Sequence, residues 1–192
     1  MAYSVQDYSR LIGMAGFSDT LLNNHFTLYQ GYVNNTNKLM DSLAAMLKED
    51  STATPEYAEL KRRMGFEFNG MRLHECYFSN LAGNGDANKA PRLKALLAKD
   101  FGSFGAWEKD FRATGAMRGV GWVVLYQDNL TGQLFNQWIN EHEAGHWAGC
   151  TIILVMDVFE HAFLTDYGLK RPAYIESFVA NIDWAILEGR LK

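Results

Sequence analysis

An aspartate and a histidine four residues apart, Asp157 and His161, have the types and spacing for metal chemistry. If a helix begins near Asp157, both side chains lie on one face of it. A carboxylate and an imidazole placed in that way can reach one metal ion. An Asp–His hydrogen bond at a strand-to-helix junction explains the same spacing, so the pair alone leaves both interpretations open.

Two other histidines lie in helical patterns. His74 is followed by aromatic residues three and four positions later, which predicts a buried position, either as a core histidine or as a ligand. His25, Tyr29 and Tyr32 recur at spacings of four and seven, so they form one stripe of a helix. A histidine beside two phenols on a buried stripe is typical of a site that relays protons.

The segment at 142–146 reads HEAGH and matches the HExxH pattern of zinc proteases. That pattern requires His142 and His146 to lie on consecutive turns of one helix. Here the segment follows a predicted strand and contains Gly145, which disfavours a helix. A zinc protease that uses Glu143, with Glu160 as a further ligand, is therefore the minor alternative.

The first part of the chain predicts a helical hairpin. Ser18 and Asp19 can cap a helix from about residue 20 toward residue 48. A second helix is expected to begin at Pro55 and to reach about residue 81, although Gly65 or Gly70 can break it. Residues 83–91 then combine two glycines, two asparagines and a proline, which is typical of a linker.

After this linker the pattern is mixed. Val158 is expected to begin a last helical part, with a break between Gly168 and Pro172. Before it, two helices are predicted at 91–99 and 103–114. Three short strands are predicted to follow them, at 121–126, 133–140 and 152–156.

The predicted fold class is α+β, an N-terminal helical hairpin followed by an α/β half with a three-stranded antiparallel sheet. We expect two domains, a helical hairpin domain at 1–88 and a domain with the small sheet at 89–192. The metal site is expected between them.

Composition limits the possible functions. Hydrophobic residues make up 48% of the chain and charged residues 21%, as in soluble globular proteins. The net charge of -4 disfavours nucleic acid as a partner, and no basic run interleaves with aromatic residues. The longest basic cluster, KRR at 61–63, is expected to lie on a solvated helix face. No apolar run approaches the roughly 20 residues of a membrane span, and no signal-peptide pattern is seen. Cys76 and Cys150 read as reduced thiols, so a cytoplasmic location is expected.

Read together, these segments resemble the iron/manganese superoxide dismutase family. The strongest match, MDVFEHAF at 156–163, is similar to the family signature D-x-[WF]-E-H-A-[YF]. Further matches lie in the same order and at similar spacing, namely YVNNTN at 32–37, DFGS at 100–103, GVGW at 119–122, KRPAYI at 170–175 and NIDW at 181–184. The resemblance covers residues 20–190.

The resemblance implies one iron or manganese ion per subunit, with His74, Asp157 and His161 as ligands. The implied reaction converts superoxide to oxygen and hydrogen peroxide. Tyr32 would be the active-site tyrosine. The resemblance implies further roles for residues around the site: Trp122, Tyr77 and Phe159 as walls of the pocket, Glu160 at the interface of a homodimer or larger homo-oligomer, and Arg171 beside the substrate entrance.

The first ligand departs from the family pattern. The family places this histidine eight residues before the tyrosine, and here that position is Asn24. His25 lies seven residues before Tyr32, a spacing that needs no bulge in an α-helix. We therefore predict His25 as the ligand. Leu28 or Tyr29 stands where the family usually has a gateway histidine.

The residue that hydrogen-bonds the metal-bound solvent also differs. The iron-type pattern has a glutamine four residues before the second histidine ligand, where this chain has Gly70. His142 is the first choice for this role and His146 the second. The missing gateway and the shifted His25 motivate one alternative, a protein of the same fold that binds metal with weak or no dismutase activity.

Overall fold

The structure is a computed structural model, and it describes residues 2–192. Two long helices, α1 (Asp19–Lys48) and α2 (Pro55–Ser79), form the predicted hairpin. The ring of His25 near the start of α1 lies 5.0 Å from the ring of His74 near the end of α2. The two helices are therefore antiparallel, and their packing brings these histidines together.

α1 begins directly after the predicted cap Ser18, and α2 begins at Pro55 as predicted. The side chains of Ser18 and Thr54 accept hydrogen bonds from backbone N–H groups of the first turn, which would otherwise lack partners. The break considered at Gly65 or Gly70 does not occur, because α2 is continuous through both. A helical glycine costs only about 1 kcal/mol, and packing against α1 and the sheet outweighs that cost.

Two shorter helices, α3 (Pro91–Phe101) and α4 (Phe104–Gly115), lead into the sheet. Its three strands are β1 (Gly121–Asp128), β2 (Leu134–Asn140) and β3 (Cys150–Asp157), in the order β2-β1-β3. Both pairings are antiparallel, which confirms the predicted fold class. In the register of the sheet Trp122 pairs with Asp157, so the strand ends place an indole beside a carboxylate.

The helix considered at Asp157 does not form. Asp157 is the last residue of β3, and a short 3-10 turn, Glu160–Ala162, follows. The backbone N–H of Phe159 donates to Asp157 Oδ1 at 2.9 Å. Such a local bond offers the backbone an alternative to an α-helical start.

Three helices complete the chain: α5 (Leu164–Tyr167), α6 (Arg171–Ala180) and α7 (Trp184–Arg190). The predicted break between Gly168 and Pro172 is confirmed. No helix within residues 2–192 is long and apolar enough to cross a membrane.

Two arginines hold the end of α2 that carries His74. Arg10 donates to the carbonyl oxygens of Phe78 and Leu81, and Arg190 donates to the carbonyl oxygen of Cys76. The last carbonyls of a helix have no partner within it and carry partial negative charge, so guanidinium groups satisfy them. This end of α2 is thereby tied to both the N-terminal segment and α7.

Candidate metal centre

Four side chains from different parts of the chain converge in the interior. His25 comes from α1, His74 from α2, Asp157 from the end of β3 and His161 from the following turn. One ligand atom of each lies within 4.8 Å of the others. The first three are buried, and the side chain of His161 is 27% exposed.

The three imidazoles face one carboxylate oxygen. Asp157 Oδ2 lies 3.0 Å from Nε2 of His161, 3.2 Å from Nε2 of His25 and 3.6 Å from Nε2 of His74. The other oxygen, Oδ1, accepts from the Phe159 N–H, which fixes the carboxylate with Oδ2 toward the histidines. Three imidazoles and one carboxylate form a donor set that suits iron or manganese.

The hydrogen bonding of the two ring nitrogens of His74 shows whether the site fits a metal ion. Its Nδ1 lies 2.6 Å from the carbonyl oxygen of Gly70, an acceptor, so Nδ1 carries the proton in this bond. The neutral ring then has its lone pair on Nε2, which is buried without a hydrogen-bond partner among the described residues. An unpaired buried acceptor is costly, and a cation at the centre of the cluster would satisfy it.

The protonation states agree with this fit. Burial lowers the pKa of His25 and of His74, so both are neutral at neutral pH. Burial acts to raise the pKa of Asp157, but His161 and His25 outweigh it and hold that pKa below its usual value. Neutral imidazoles and an ionised carboxylate are the states in which these groups bind a metal.

The two candidates for the first ligand, Asn24 and His25, differ in where their side chains lie. α1 is a continuous α-helix through this segment, and Asn24 is exposed on its surface. His25 is only 2% exposed and points into the cluster. Its spacing of seven residues from Tyr32 keeps both on one face of the helix, as predicted.

A hydrogen-bond chain lies beside the cluster. The hydroxyl oxygen of Tyr32 is 2.7 Å from Nε2 of His142, and the indole N–H of Trp122 donates to Nδ1 of His142 at 3.0 Å. Burial lowers the pKa of His142 to about 4 and raises the pKa of Tyr32. The ring of Tyr32 stacks on His74 with a centroid separation of 5.2 Å, so the chain contacts the cluster directly.

Aromatic rings enclose the cluster. Phe159 stacks on both His142 and His161, with centroid separations of 4.8 and 5.1 Å. Trp122 lies edge-on to His74 at 5.0 Å, and Tyr77 lies 5.2 Å from His25. The three residues expected to wall the pocket are therefore all in contact with the histidines.

The HEAGH segment is not a helix. It forms a tight loop closed by two backbone hydrogen bonds between Asn140 and Ala144. His142 turns inward to Tyr32, whereas His146 has Nδ1 2.7 Å from the hydroxyl of Tyr126 and Nε2 2.8 Å from the carbonyl oxygen of His142. The two imidazoles do not converge, which removes the basis for a zinc protease.

One tyrosine near the cluster was not singled out from the sequence. The hydroxyl of Tyr174 donates to the backbone carbonyl of Asp157 at 2.6 Å and lies 3.2 Å from the hydroxyl of Tyr77. It therefore braces the residue that carries the central carboxylate. Its place within the matched segment KRPAYI was the available signal, because periodicity in α6 marks it only as a core residue.

Two further predicted residues lie away from the cluster. Glu160 is exposed on the single chain. The guanidinium of Arg171 donates to the carbonyl oxygens of Met117 and Gly119 at 2.6 and 2.9 Å. It also lies over the ring of Phe163, with 5.2 Å between Cζ and the ring centroid.

The chain is similar to known superoxide dismutases. Residues 89–190 match the model for the C-terminal domain of iron/manganese superoxide dismutases. The chain is 36% identical to a superoxide dismutase [Fe] of Cupriavidus metallidurans, over 89% of this chain and 86% of the relative. It is 31% identical to a superoxide dismutase [Fe] of Aquifex aeolicus, over 97% and 90%. It is 32% identical to a superoxide dismutase [Mn] of Haloferax volcanii, over 83% and 79%.

These relatives span most of both chains, and the matched region includes Trp122, Asp157 and His161. The helical hairpin supplies the remaining two members of the cluster, His25 and His74. By its sequence and by its fold, the chain belongs to the iron/manganese superoxide dismutase family.

Proposed function

We propose that His25, His74, Asp157 and His161 hold the single iron or manganese ion of this superoxide dismutase. The observation that carries the proposal is the convergence of three Nε2 atoms on Asp157 Oδ2, with His74 Nε2 left unpaired. When bound, the ion supplies one-electron chemistry by alternating between its +3 and +2 states. Two superoxide ions and two protons then give one oxygen and one hydrogen peroxide.

The reaction consumes two protons, so the protein must supply protons where the substrate binds. Tyr32 and His142 are suited to this role. The indole of Trp122 can only donate, so Nδ1 of neutral His142 is an acceptor and the proton resides on Nε2. Nε2–H therefore donates to the oxygen of Tyr32. The hydroxyl proton of Tyr32 stays available for donation toward the cluster or to the substrate.

Burial keeps both groups in these states. The pKa of His142 is lowered to about 4, so the imidazole is neutral at neutral pH. The pKa of Tyr32 is raised, by burial first and then by Asp157, so the phenol keeps its proton. In this arrangement His142 would take the role of the glutamine that the family usually has beside the metal. His146, which bonds to Tyr126, would not take that role.

The aromatic walls limit water at the site. Trp122 and Tyr77 are fully buried, and Phe159 covers the faces of two imidazoles. A low-dielectric wall strengthens the electrostatic effect of every charge inside the site. We assign these three residues the role of setting the potential of the ion through its surroundings.

Stopped-flow decay of superoxide tests the enzyme. Protein loaded with iron and protein loaded with manganese are each compared with the same concentration of free ion. Turnover well above the free ion is expected for at least one of them. Turnover equal to that of the free ion would contradict the enzyme. It would favour the alternative suggested by the missing gateway histidine, a metal-binding protein of the same fold with weak or no dismutase activity.

We further propose that the enzyme is a homodimer or larger homo-oligomer in the cytoplasm. Glu160 is exposed on the single chain directly beside His161, which suits a contact with a second copy. Both cysteines are free thiols, as a reducing compartment favours. Light scattering of wild type and of Glu160→Ala tests the assembly, and cell fractionation tests the location.

We also propose two domains, residues 1–88 and residues 89–192, with the metal between them. Residue 1 lies outside the described residues. The support is that two members of the cluster come from the hairpin and two from the end of β3 and the turn after it. Limited proteolysis with and without metal is the test, since cleavage is expected between residues 83 and 91 and should slow when metal is bound.

A superoxide ion approaching a chain of net charge -4 needs a locally positive entrance. Arg171 is the residue that the family resemblance places there. Its guanidinium is fixed by two backbone carbonyl oxygens, which are uncharged and do not neutralise it. We propose that it contributes to guiding the substrate. Arg171→Lys should keep most of the rate at low ionic strength, and Arg171→Gln should lower it.

A further inference from the structure

A surface depression of about 320 Å³ leads to Tyr32. Leu28 and Gly31 of α1 and Phe66 of α2 form its apolar lining. Phe66 lies 4.5 Å from the ring of His142 and 6.1 Å from that of Tyr32 between centroids. The depression therefore opens toward Tyr32 and His142. Leu28 in its lining is one of the two residues, with Tyr29, that stand where the family usually has a gateway histidine.

Three polar residues complete the lining. Arg63 is the one cation among the described residues around the depression, and it forms an ion pair with Glu67 at 2.7 Å. The second carboxylate oxygen of Glu67 accepts from the side-chain amide of Asn35 at 3.2 Å. Both oxygens of this carboxylate are thus occupied, which fixes the guanidinium that it holds.

The two charges of the pair differ in exposure. The side chain of Arg63 is 50% exposed, whereas that of Glu67 is only 4% exposed. The guanidinium also lies over the ring of Phe66, with 4.0 Å between Cζ and the ring centroid. An anion entering the depression therefore meets the cation first, with the compensating carboxylate behind it.

We propose that Arg63, held over Phe66 by the buried carboxylate of Glu67, guides superoxide into the depression that leads to Tyr32. This inference rests on the proposed function and adds to it a guidance residue on α2. A fixed positive charge at the mouth raises the local concentration of an anionic substrate. The effect is largest at about 10 mM ionic strength, where the Debye length is about 30 Å, and weakens at about 150 mM.

The chain offers a matched control in the preceding residue. Arg62 carries the same charge on the same helix, but its side chain is 72% exposed and pairs with Glu59 on the surface. Arg63→Gln is expected to lower kcat/KM for superoxide on the order of three- to tenfold at low ionic strength. It should also flatten the decline of kcat/KM with added salt. Arg62→Gln should leave both unchanged, and Arg63→Lys should restore part of the rate.

A double variant removes two rival explanations. Arg63→Gln alone leaves Glu67 as an unpaired buried charge, which can unfold the protein or repel the substrate. Arg63→Gln with Glu67→Gln keeps the net charge of wild type and leaves two amides that can hydrogen-bond. The proposal predicts that this double variant remains slow, with a melting temperature close to wild type. Recovery of the wild-type rate would overturn guidance by Arg63.

Azide binding gives a measurement that does not depend on turnover. Its dissociation constant, read from the visible spectrum of the iron-loaded protein, should rise several-fold in Arg63→Gln and in the double variant, but not in Arg62→Gln. Equal azide affinity and equal salt dependence in all variants would refute the inference while wild-type turnover stands. A wild-type protein without turnover above free ion would instead remove the proposed function, and this inference with it.

Discussion

Nε2 of His142 lies 2.7 Å from the hydroxyl oxygen of Tyr32, although the two residues are 110 positions apart in the chain. α1 brings Tyr32 to the cluster, and the loop after β2 brings His142. Trp122 fixes the imidazole from its other nitrogen. The proton arrangement at the site therefore depends on a contact between two halves of the fold.

This contact predicts strong coupling between the two side chains. His142→Ala should lower kcat on the order of 10- to 100-fold, as expected for groups that orient a metal site. Tyr32→Phe should lower it less, because the ring still stacks on His74. The double variant should cost less than the product of the single effects, since each change already breaks the shared bond.

His146 provides the comparison for this cycle. Its imidazole bonds to the hydroxyl of Tyr126 rather than to Tyr32. His146→Ala is therefore expected to keep most of the activity. An effect of His146→Ala as large as that of His142→Ala, measured by the same superoxide assay, would show that the assignment of the two histidines is wrong.

The ligand assignment makes a second prediction, on metal content. His25→Ala and His74→Ala each remove one of four donors, so both should purify with much less iron and manganese than wild type. Asn24→Ala should purify with the wild-type amount, because Asn24 is exposed on α1. Elemental analysis of protein grown in medium containing both metals measures this. Loss of metal in Asn24→Ala with retention in His25→Ala would reverse the assignment.

The spacing of residues along the chain predicts some of the contacts in this site and does not predict others. The spacing of seven between His25 and Tyr32 places them on one helical face, and the structure agrees because α1 is a continuous α-helix. Asp157 and His161 approach each other without sharing a helix. Asp157 ends a strand and the next turn is 3-10, so the local reason for their approach differs from the one that the spacing suggested.

Long-range pairings were beyond the reach of any local pattern. The hydrogen bond between Tyr32 and His142 depends on how the helical hairpin packs against the sheet. The helical and strand periodicity of the sequence does not predict that packing. The same holds for Arg63, which was read as part of a solvated helix face. Its neighbour Arg62 fits that description, but Arg63 is drawn inward by the buried Glu67. Adjacent identical residues differ here because a helix turns by about 100° per residue.

A third prediction concerns the contact between α2 and Tyr32. A Cβ atom at Gly70 would lie only 2.6 Å from a ring carbon of Tyr32, closer than real contacts allow. Gly70→Ala should therefore displace the phenol, lower kcat and destabilise the fold by about 1–3 kcal/mol. Activity and urea unfolding measure the two effects.

Gly65 on the same helix is the matched control. A Cβ there would meet Glu143 Cβ at 3.8 Å, an ordinary contact. Gly65→Ala should stabilise the protein by about 0.5–1 kcal/mol, because alanine is the better helix former, and should leave kcat unchanged. Equal effects of the two substitutions would mean that Tyr32 does not need the space at Gly70.

A fourth prediction concerns the stability of the metal-free protein in acid. Burial lowers the pKa of His142 to about 4 in the folded state, against about 6.5 when unfolded. The unfolded state therefore binds the proton more readily, so stability from this group is fully present above about pH 6.5 and is lost as the pH falls toward 4. This difference in pKa corresponds to a loss of at most about 3 kcal/mol in the free energy of unfolding.

Urea unfolding of metal-free wild type and metal-free His142→Gln across this range measures the effect. Glutamine cannot take up the proton, so the variant should lose less stability between pH 6.5 and 4 than wild type does. Part of the acid sensitivity should remain in the variant, because burial also lowers the pKa of His25 and of His74. Parallel curves for the two proteins would mean that His142 is not held neutral by its burial, and the proton arrangement inferred at Tyr32 would lose its basis.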